Sequence, residues 1–113
     1  MSDGGAVTRT AQVRLALPHH IRNLAKVDGE VTLEVERTDE DEVSLAVVLA
    51  ALETRFPMLR GTLRDPTSGK RRPFVRFFAC QEDLSHQALS APLPPAVVEG
   101  RELLIVLGAM AGG

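Results

Sequence analysis

Two stretches near the start of the chain alternate apolar and polar residues, which is the period of a half-buried β-strand. The first is AQVRLALP, residues 11–18, which Pro18 ends, and the second is EVTLEVER, residues 30–37. The Asp28-Gly29 pair between them is a turn signal, so we expect two antiparallel strands joined by a loop. The side chains expected to face the core are Val13, Leu15, Leu17, Val31, Leu33 and Val35.

The pattern changes to that of an amphipathic helix over residues 44–56. Ser44 is placed to cap the helix N-terminus, and Val43 before it is placed to pack against Val48. The acidic run at 39–42 lies where a helix N-terminus favours negative charge, and Pro57 ends the helix. The expected core-facing stripe consists of Leu45, Val48, Leu49, Leu52 and Phe56.

Two further strands are expected in the second half of the chain. FVRFFAC, residues 74–80, alternates, with Arg76 and Phe78 predicted to face outward. ELLIVL, residues 102–107, is nearly all apolar, which indicates a strand that is central in the sheet or covered on both faces. The connection at 58–73 is polar, and residues 81–100 show no sustained period, so we expect irregular structure there. The inward side chains of the 74–80 strand are predicted to be Val75, Phe77 and Ala79.

These elements predict an α+β domain with a mixed sheet of four to five strands and one main helix packed across one face. The first and last strands are both strongly apolar, so we place them side by side and parallel in the middle of the sheet. We expect a flexible leader at residues 1–10, a folded domain at 11–107 and a flexible tail at 108–113.

Composition narrows the classes of function. The 113 residues suit one domain, and 13 basic against 15 acidic side chains give a net charge of -2, which calls for neither nucleic acid nor a membrane as partner. The one cysteine, Cys80, leaves no internal disulfide and fits a reducing compartment. The polar start, MSDGGAVTRT, has no apolar signal-peptide core, so we expect a cytoplasmic protein.

The order of elements and the closing AMAGG resemble the ubiquitin-like β-grasp fold and, more closely, the MoaD/ThiS family of sulfur carriers. SLAVVLAALETRFPMLRGTL is similar to the family's helix and following turn, and VVEGRELLIVLGAMAGG is similar to its last strand and glycine ending. RDPTSGKRRPFVRFFACQEDL resembles the family's loop and third strand, and its DP-S-GK portion resembles the CysO-like cysteine-pathway branch. The resemblance covers residues 13–113, with Arg76 and Cys80 at positions where the family commonly has asparagine.

The resemblance implies a carrier protein that is not itself an enzyme and binds no cofactor or metal. Its Gly113 carboxylate would be adenylated by an E1-like enzyme that uses ATP, and then converted to a thiocarboxylate that donates sulfur. The implied partners are this adenylyltransferase, a sulfur donor (cysteine desulfurase, rhodanese or sulfide) and an acceptor synthase. Gly112, Ala111 and Met110 would thread the partner's active site, where residues with small or no side chains avoid steric conflict. Molybdopterin, thiamine and cysteine biosynthesis all remain open as destinations.

For the docking surface on the partner, we expect an exposed apolar patch of Phe78, Leu104 and Val106 on the sheet face away from the helix. Arg76 or the basic cluster at residues 70–72 would form its rim. Two alternatives stay open: a ubiquitin-like modifier conjugated through Gly113, and a non-covalent β-grasp interaction domain. We expect Cys80 to be a small buried hydrophobic residue, and the three histidines to lie in loops without forming a zinc site.

Overall fold

The computed structural model describes residues 8–38 and 42–108. The strands are β1 (Thr8–Ala16), β2 (Val31–Thr38), β3 (Val75–Ala79), β4 (Glu82–Asp83) and β5 (Leu104–Gly108). The helices are α1 (His19–Ala25), α2 (Leu45–Arg55) and α3 (Pro95–Val98), and a 3₁₀ turn at Pro57–Leu59 follows α2.

The five strands form one mixed sheet in the order β2-β1-β5-β3-β4. β1 pairs with β2 antiparallel from Thr8 to Leu15, and with β5 in parallel, where Leu15 lies opposite Leu104. β3 pairs antiparallel with β5 and forms a short hairpin with β4. The predicted α+β class and the predicted parallel pairing of the first and last strands at the sheet centre are confirmed.

The predicted main helix is confirmed as α2. The Ser44 hydroxyl accepts a hydrogen bond from the backbone N–H of Val47 at 3.2 Å, so the helix N-terminus is capped by the residue that its sequence position indicated. Val43 and Val48 are both buried, as a hydrophobic contact across the cap requires. The apolar stripe of α2 packs against the sheet, while Phe56 at its end is half-buried.

One face of the sheet, together with α2, encloses the core. The alternation predicted for β1, β2 and β3 is confirmed: every side chain expected to point inward on these strands is buried, and Phe77 is the largest that is fully buried. Because successive residues of a strand point to opposite faces, the outward set on β1, β5 and β3 shares the other face of the sheet. We call this uncovered side the outer face.

The prediction of a loop between the first two strands is wrong, because α1 occupies residues 19–25. Ile21 and Ala25 lie one turn apart and are buried, which anchors the helix to the core. Lys26 ends α1 in the left-handed conformation, with φ of 60°, and donates its N–H to carbonyls of the last turn. Pro18 stands at the N-cap without a side-chain acceptor, so the usual sequence signal for a helix start is missing.

Three further predictions also need correction. β1 begins at Thr8, so the residues at 8–10 belong to the sheet and not to a leader, and Gly108 is the last residue of β5 and not the first of a tail. The stretch expected to be irregular contains β4 and the four-residue α3, in which Val97 and Val98 are buried. The rest of the predicted leader, residues 1–7, the acidic residues 39–41 and the tail residues 109–113 lie outside the described residues.

Candidate functional site: the outer face and the tail root

The outer face carries an apolar surface over its two middle strands. Phe78 of β3 lies opposite Ile105 of β5, and Arg76 lies opposite Leu107 in the same antiparallel register. Ile105 and Leu107 are 36% and 48% exposed, and Phe78 is half-buried beside them. We call Phe78, Ile105 and Leu107 the outer apolar surface. It faces solvent on the side of the sheet away from α2.

The predicted docking patch was wrong at two of its four positions. Leu104 and Val106 point into the core and are 0% and 1% exposed, so they contribute no accessible surface. Their neighbours Ile105 and Leu107 take the outward positions. A shift of one residue moves a strand's side chains to the opposite face, and residues 103–107 are apolar at every position, so their own pattern does not fix which set points inward. Phe78 and Arg76 do lie on the outer face as predicted.

A groove of about 670 Å³ crosses the outer apolar surface. Charged side chains stand at one end of it, among them Arg14 of β1. Arg14 donates to both carboxylate oxygens of Glu30, at 3.2 and 3.3 Å, and to the carbonyl of Gly100 at 3.0 Å. The hydrogen bond to Glu30 and its negative charge raise the pKa of Arg14, so the guanidinium remains charged. The groove is lined by Arg14, Phe78, Ala79, Cys80, Gln81, Arg101, Glu102, Leu103, Ile105 and Leu107.

Arg76, beside the outer apolar surface, is held in an ion pair. Its guanidinium donates to a carboxylate oxygen of Asp83 at 2.7 Å, and Nε2 of His86 lies 3.9 Å from the same oxygen. Hydrogen bonds from the side chain and then the backbone N–H of Ser85 lower the pKa of Asp83, and the charge of Arg76 adds to this. Asp83 therefore stays ionised and fixes the position of a cation at the edge of the apolar surface.

The basic cluster at residues 70–72 is engaged in holding its own loop. Arg71 donates to the carbonyl of Val75 at 2.7 Å, and Arg72 donates to the carbonyl of Gly61 at 2.9 Å. The Asp65 carboxylate accepts the backbone N–H groups of Ser68 and Thr67, and these bonds lower its pKa. The guanidinium groups of Arg71 and Arg72 thus support the polar loop, and Arg76 is the basic residue that the strand register places beside Leu107.

The tail begins where β5 leaves the sheet at Gly108, which we call the tail root. A side chain at Gly108 would place its Cβ 3.4 Å from Cε1 of His20 and 3.7 Å from Cγ of Pro18. A groove of about 410 Å³ surrounds this point and is lined by Pro18, Pro73, Phe74, Arg76, Leu107 and Gly108. Met110, Ala111, Gly112 and Gly113, the residues predicted to enter a partner's active site, lie outside the described residues.

Cys80 packs against the core as expected but is only half-buried, and it also lines the groove of the outer face. Cys80 and Gln81 have φ of 53° and 66° and connect β3 to β4 as a two-residue turn. Two positive φ values identify the type I′ turn that matches the twist of a tight hairpin.

The three histidines make separate contacts. His19 contacts Asn23 within α1, His20 lies at the tail root and His86 faces Asp83. His19 and His20 are therefore helical and not in a loop as predicted. Within residues 8–38 and 42–108, no three His, Cys, Asp or Glu side chains form a group able to hold a metal ion.

Sequence reasoning missed several residues of this site. Ile105 and Leu107 were hidden by the apolar run, although the outward placement of Phe78 and the pairing of the last two long strands would have indicated them. Phe74, 41% exposed, and Pro18 and His20 meet only because β1, β3 and β5 lie side by side. No local pattern marks these contacts between distant segments.

No helix in the described part of the chain is long and apolar enough to span a membrane. The sequence matches no protein-family model and no curated protein. Its fold, however, matches solved structures. Small archaeal modifier protein 1 from Haloferax volcanii superposes with a TM-score of 0.64 at 18% identity, over 90% of this chain and 99% of that chain.

Two further structures show the same similarity. A chain of the Amycolatopsis orientalis BexX/CysO complex has a TM-score of 0.66 at 19% identity, over 89% of this chain and 99% of its own. Small archaeal modifier protein 1 from Methanosarcina acetivorans has a TM-score of 0.65 at 17% identity, over 93% of this chain and 99% of its own. The chain has the ubiquitin-like β-grasp fold, so the predicted resemblance is confirmed at the level of fold.

Proposed function

We propose that this protein is a sulfur carrier whose Gly113 carboxylate is activated by an E1-like enzyme and converted to a thiocarboxylate. The observation that carries the proposal is the continuity of the outer apolar surface along β5 to the tail root, which AMAGG follows in the sequence. The similarity in fold to a protein solved in the BexX/CysO complex and to small archaeal modifier proteins supports it.

The chemistry requires the tail and a partner, and no catalytic group on this chain. A carboxylate oxygen of Gly113 attacks the α-phosphorus of ATP, pyrophosphate leaves, and an acyl adenylate forms. Sulfide then attacks the acyl carbon and expels AMP, which leaves a thiocarboxylate at Gly113. Where the donor is a protein persulfide, the product of this attack is an acyl disulfide, and a thiol reductant must cleave its S–S bond to release the thiocarboxylate. ATP is bound by the partner, and glycine at the reacting end leaves the acyl carbon accessible. The protein acts as a co-substrate.

The folded domain provides the contact surface for the partner. Phe78, Ile105 and Leu107 provide an apolar contact next to the tail root, and apolar residues at the centre of an interface contribute most of its energy. Arg76, fixed by Asp83, provides a charged rim contact that favours an acidic counterpart on the partner. Docking on this face would bring the tail root next to the partner while α2 remains on the far side of the sheet.

The test is intact-mass spectrometry of the protein after incubation with its E1-like enzyme, ATP and sulfide. The expected result is the mass increase of one oxygen-to-sulfur exchange, located by fragmentation at Gly113. A matched control carries one added alanine after Gly113, which moves the carboxylate out of register and abolishes the exchange. An unchanged mass with an enzyme that does bind the protein would contradict the proposal.

The similarity to small archaeal modifier protein 1 favours a second candidate, a modifier joined through Gly113 to lysine. In that case the activated acyl group is attacked by an amine and an isopeptide bond forms. The same reaction mixture, supplemented with cell protein, distinguishes the two: a modifier gives lysine conjugates that carry residues 102–113 as a remnant after trypsin digestion, because Arg101 is the last basic residue before the tail. The acceptor of the sulfur, whether in molybdopterin, thiamine or cysteine biosynthesis, is identified by the synthase that consumes the thiocarboxylate.

A further inference from the structure

The two edges of the sheet differ in how their backbone groups are satisfied. On β3, Val75 and Phe77 direct their backbone groups away from β5. The N–H of Val75 donates to the carbonyl of Arg72, and its C=O accepts from the Arg71 guanidinium. The N–H of Phe77 donates to the Ser85 hydroxyl, and its C=O accepts from the N–H of Leu84. Beyond Phe77, β3 pairs with β4. This edge offers no run of free groups to another chain.

The edge of β2 is open by comparison. The Arg55 guanidinium donates to the carbonyl of Thr32 at 2.7 Å, which shows that Thr32 directs its backbone groups away from β1. In an antiparallel pair this direction repeats at every second residue, so Glu34 and Glu36 also direct their N–H and C=O groups outward. Among the described residues, the bond from Arg55 is the only hydrogen bond to the outward N–H and C=O groups of Thr32, Glu34 and Glu36.

A groove runs beside this open edge. Its volume is about 420 Å³, and it lies between β2 and one side of α2, with Leu33, Glu34, Ala51 and Arg55 among its lining residues. Arg55 bonds Thr32 here, and α2 packs on β2. Val47, one helical turn before Ala51 on α2, is 40% exposed. The groove thus brings residues 32–34 of β2 together with Ala51 and Arg55 of α2.

The carboxylates beside the edge of β2 favour one kind of bound segment. Glu34 and Glu36 are exposed on the outer face of β2, and Glu34 accepts a hydrogen bond from Gln12 at 3.2 Å. A second copy of β2 added antiparallel would set these carboxylates against the same residues of its partner, which is unfavourable. An added strand whose alternate residues are basic would pair with them, while its other residues would face Ala51 and Val47 and so be apolar.

We propose that the open edge of β2 binds an extended protein segment with alternating basic and apolar residues, which adds to the sheet as a sixth strand beside α2. Its backbone bonds to Glu34 and Glu36, its basic side chains lie next to the two carboxylates, and its apolar side chains fill the groove against α2. This site lies at the sheet edge remote from β3, so a bound segment leaves the outer apolar surface accessible and the chain can hold two partners together.

The test uses the full chain and two fluorescein-labelled synthetic peptides, one alternating lysine and valine and the other alternating glutamate and valine. Fluorescence anisotropy at low ionic strength is expected to show binding of the lysine peptide and at least about tenfold weaker binding of the glutamate peptide. Equal binding of both peptides would overturn the proposal.

Two variants at one position separate backbone pairing from charge. Glu34→Pro removes an N–H that β1 does not use, so the sheet is retained while the outward bond is lost, and we expect about tenfold weaker binding. Glu34→Gln keeps the N–H and removes the charge, with an expected loss of about threefold. Glu36→Pro gives the same test at the next outward residue if Glu34→Pro does not fold, as judged by circular dichroism.

A control on the outer face keeps this proposal apart from the proposed function. Leu107→Asp is expected to leave peptide binding unchanged, because Leu107 lies across the sheet from β2. Loss of peptide binding in Leu107→Asp, or wild-type binding in Glu34→Pro, would show that the peptide binds elsewhere. A dimer in sedimentation that Glu34→Pro dissociates would assign the edge to a second copy of the chain and likewise overturn the proposal.

Discussion

The two faces of the sheet are made by alternate residues of the same strands, yet they have opposite roles. On β3 and β5 the inward set, with Phe77, Leu104 and Val106, is fully buried in the core, whereas Phe78, Ile105 and Leu107 remain accessible on the outer face. The chemical character of the two sets is nearly the same. The difference teaches that burial, and not hydrophobicity alone, divides these residues between holding the fold and forming the surface proposed for docking.

The largest expected effect tests this division at adjacent positions. Phe77→Ala removes a fully buried ring and leaves a cavity, so we expect the free energy of unfolding to fall by about 3–5 kcal/mol. Phe78→Ala removes a ring that is only half-buried, and we expect a loss of about 1 kcal/mol. Urea denaturation of both variants measures the difference, and similar losses would contradict the assignment of the faces.

The next effect concerns activation of the chain by its proposed partner and not the stability of the fold. Leu107→Asp introduces a charge into the outer apolar surface, and we expect kcat/KM for adenylation by the E1-like enzyme to fall about thirtyfold, which corresponds to the loss of one interface hot spot. Thr32→Asp is the matched control, because it adds the same charge to the outer face on the edge strand β2, which β1 separates from β5. Equal effects of the two substitutions would show that the face responds to net charge alone.

The same division explains how far the sequence predicts this molecule. β1, β2, β3 and α2 were predicted with their correct faces because apolar and polar residues differ sharply along them, so Val13, Leu33 and Val48 could be assigned from pattern. β5 was predicted as a central strand, but its faces were exchanged. Each of its residues from Leu104 to Leu107 is apolar, and only pairing with β3 decides which ones point outward.

Other parts of the site depend on contacts between segments far apart in sequence. α1 has no polar N-cap residue, and only two buried residues, Ile21 and Ala25, hold it to the core. The tail root combines Pro18 with Phe74 and Gly108, which the pairing of β5 with both β1 and β3 brings together. The strongly apolar pattern of the first and last strands indicated that β1 and β5 are neighbours, but no pattern of a few residues indicated that Phe74 meets Pro18.

We expect the ion pair on the helix side of the sheet to contribute more to the free energy of unfolding than the ion pair on the outer face. On the helix side, Arg64 donates to both carboxylate oxygens of Glu53 at 2.9 and 3.0 Å, and both side chains are largely buried. Glu53→Gln leaves the guanidinium with a weaker acceptor, and we expect a loss of about 1–2 kcal/mol in the free energy of unfolding. Arg76→Gln on the outer face removes a more exposed pair, and we expect less than about 1 kcal/mol. Thermal or urea denaturation of the two variants ranks them, and a larger loss for Arg76→Gln would reverse the comparison.

The smallest expected effect is the pH dependence of the outer-face pair. Ser85 and Arg76 lower the pKa of Asp83 in the folded protein, so its contribution to stability is fully present above the ordinary carboxyl pKa of about 3.9 and is lost as the pH falls through the lower folded value. Asp83→Asn removes the titrating group. The stability difference between wild type and this variant should therefore be constant at neutral pH and shrink as the solution is acidified below about pH 4. Urea midpoints across this range measure the difference, and the carboxyl carbon shift of Asp83 in NMR reports its pKa directly. A difference that persists unchanged in acid would show that Asp83 acts through its shape or its hydrogen bonds, which asparagine does not reproduce, and not through its charge.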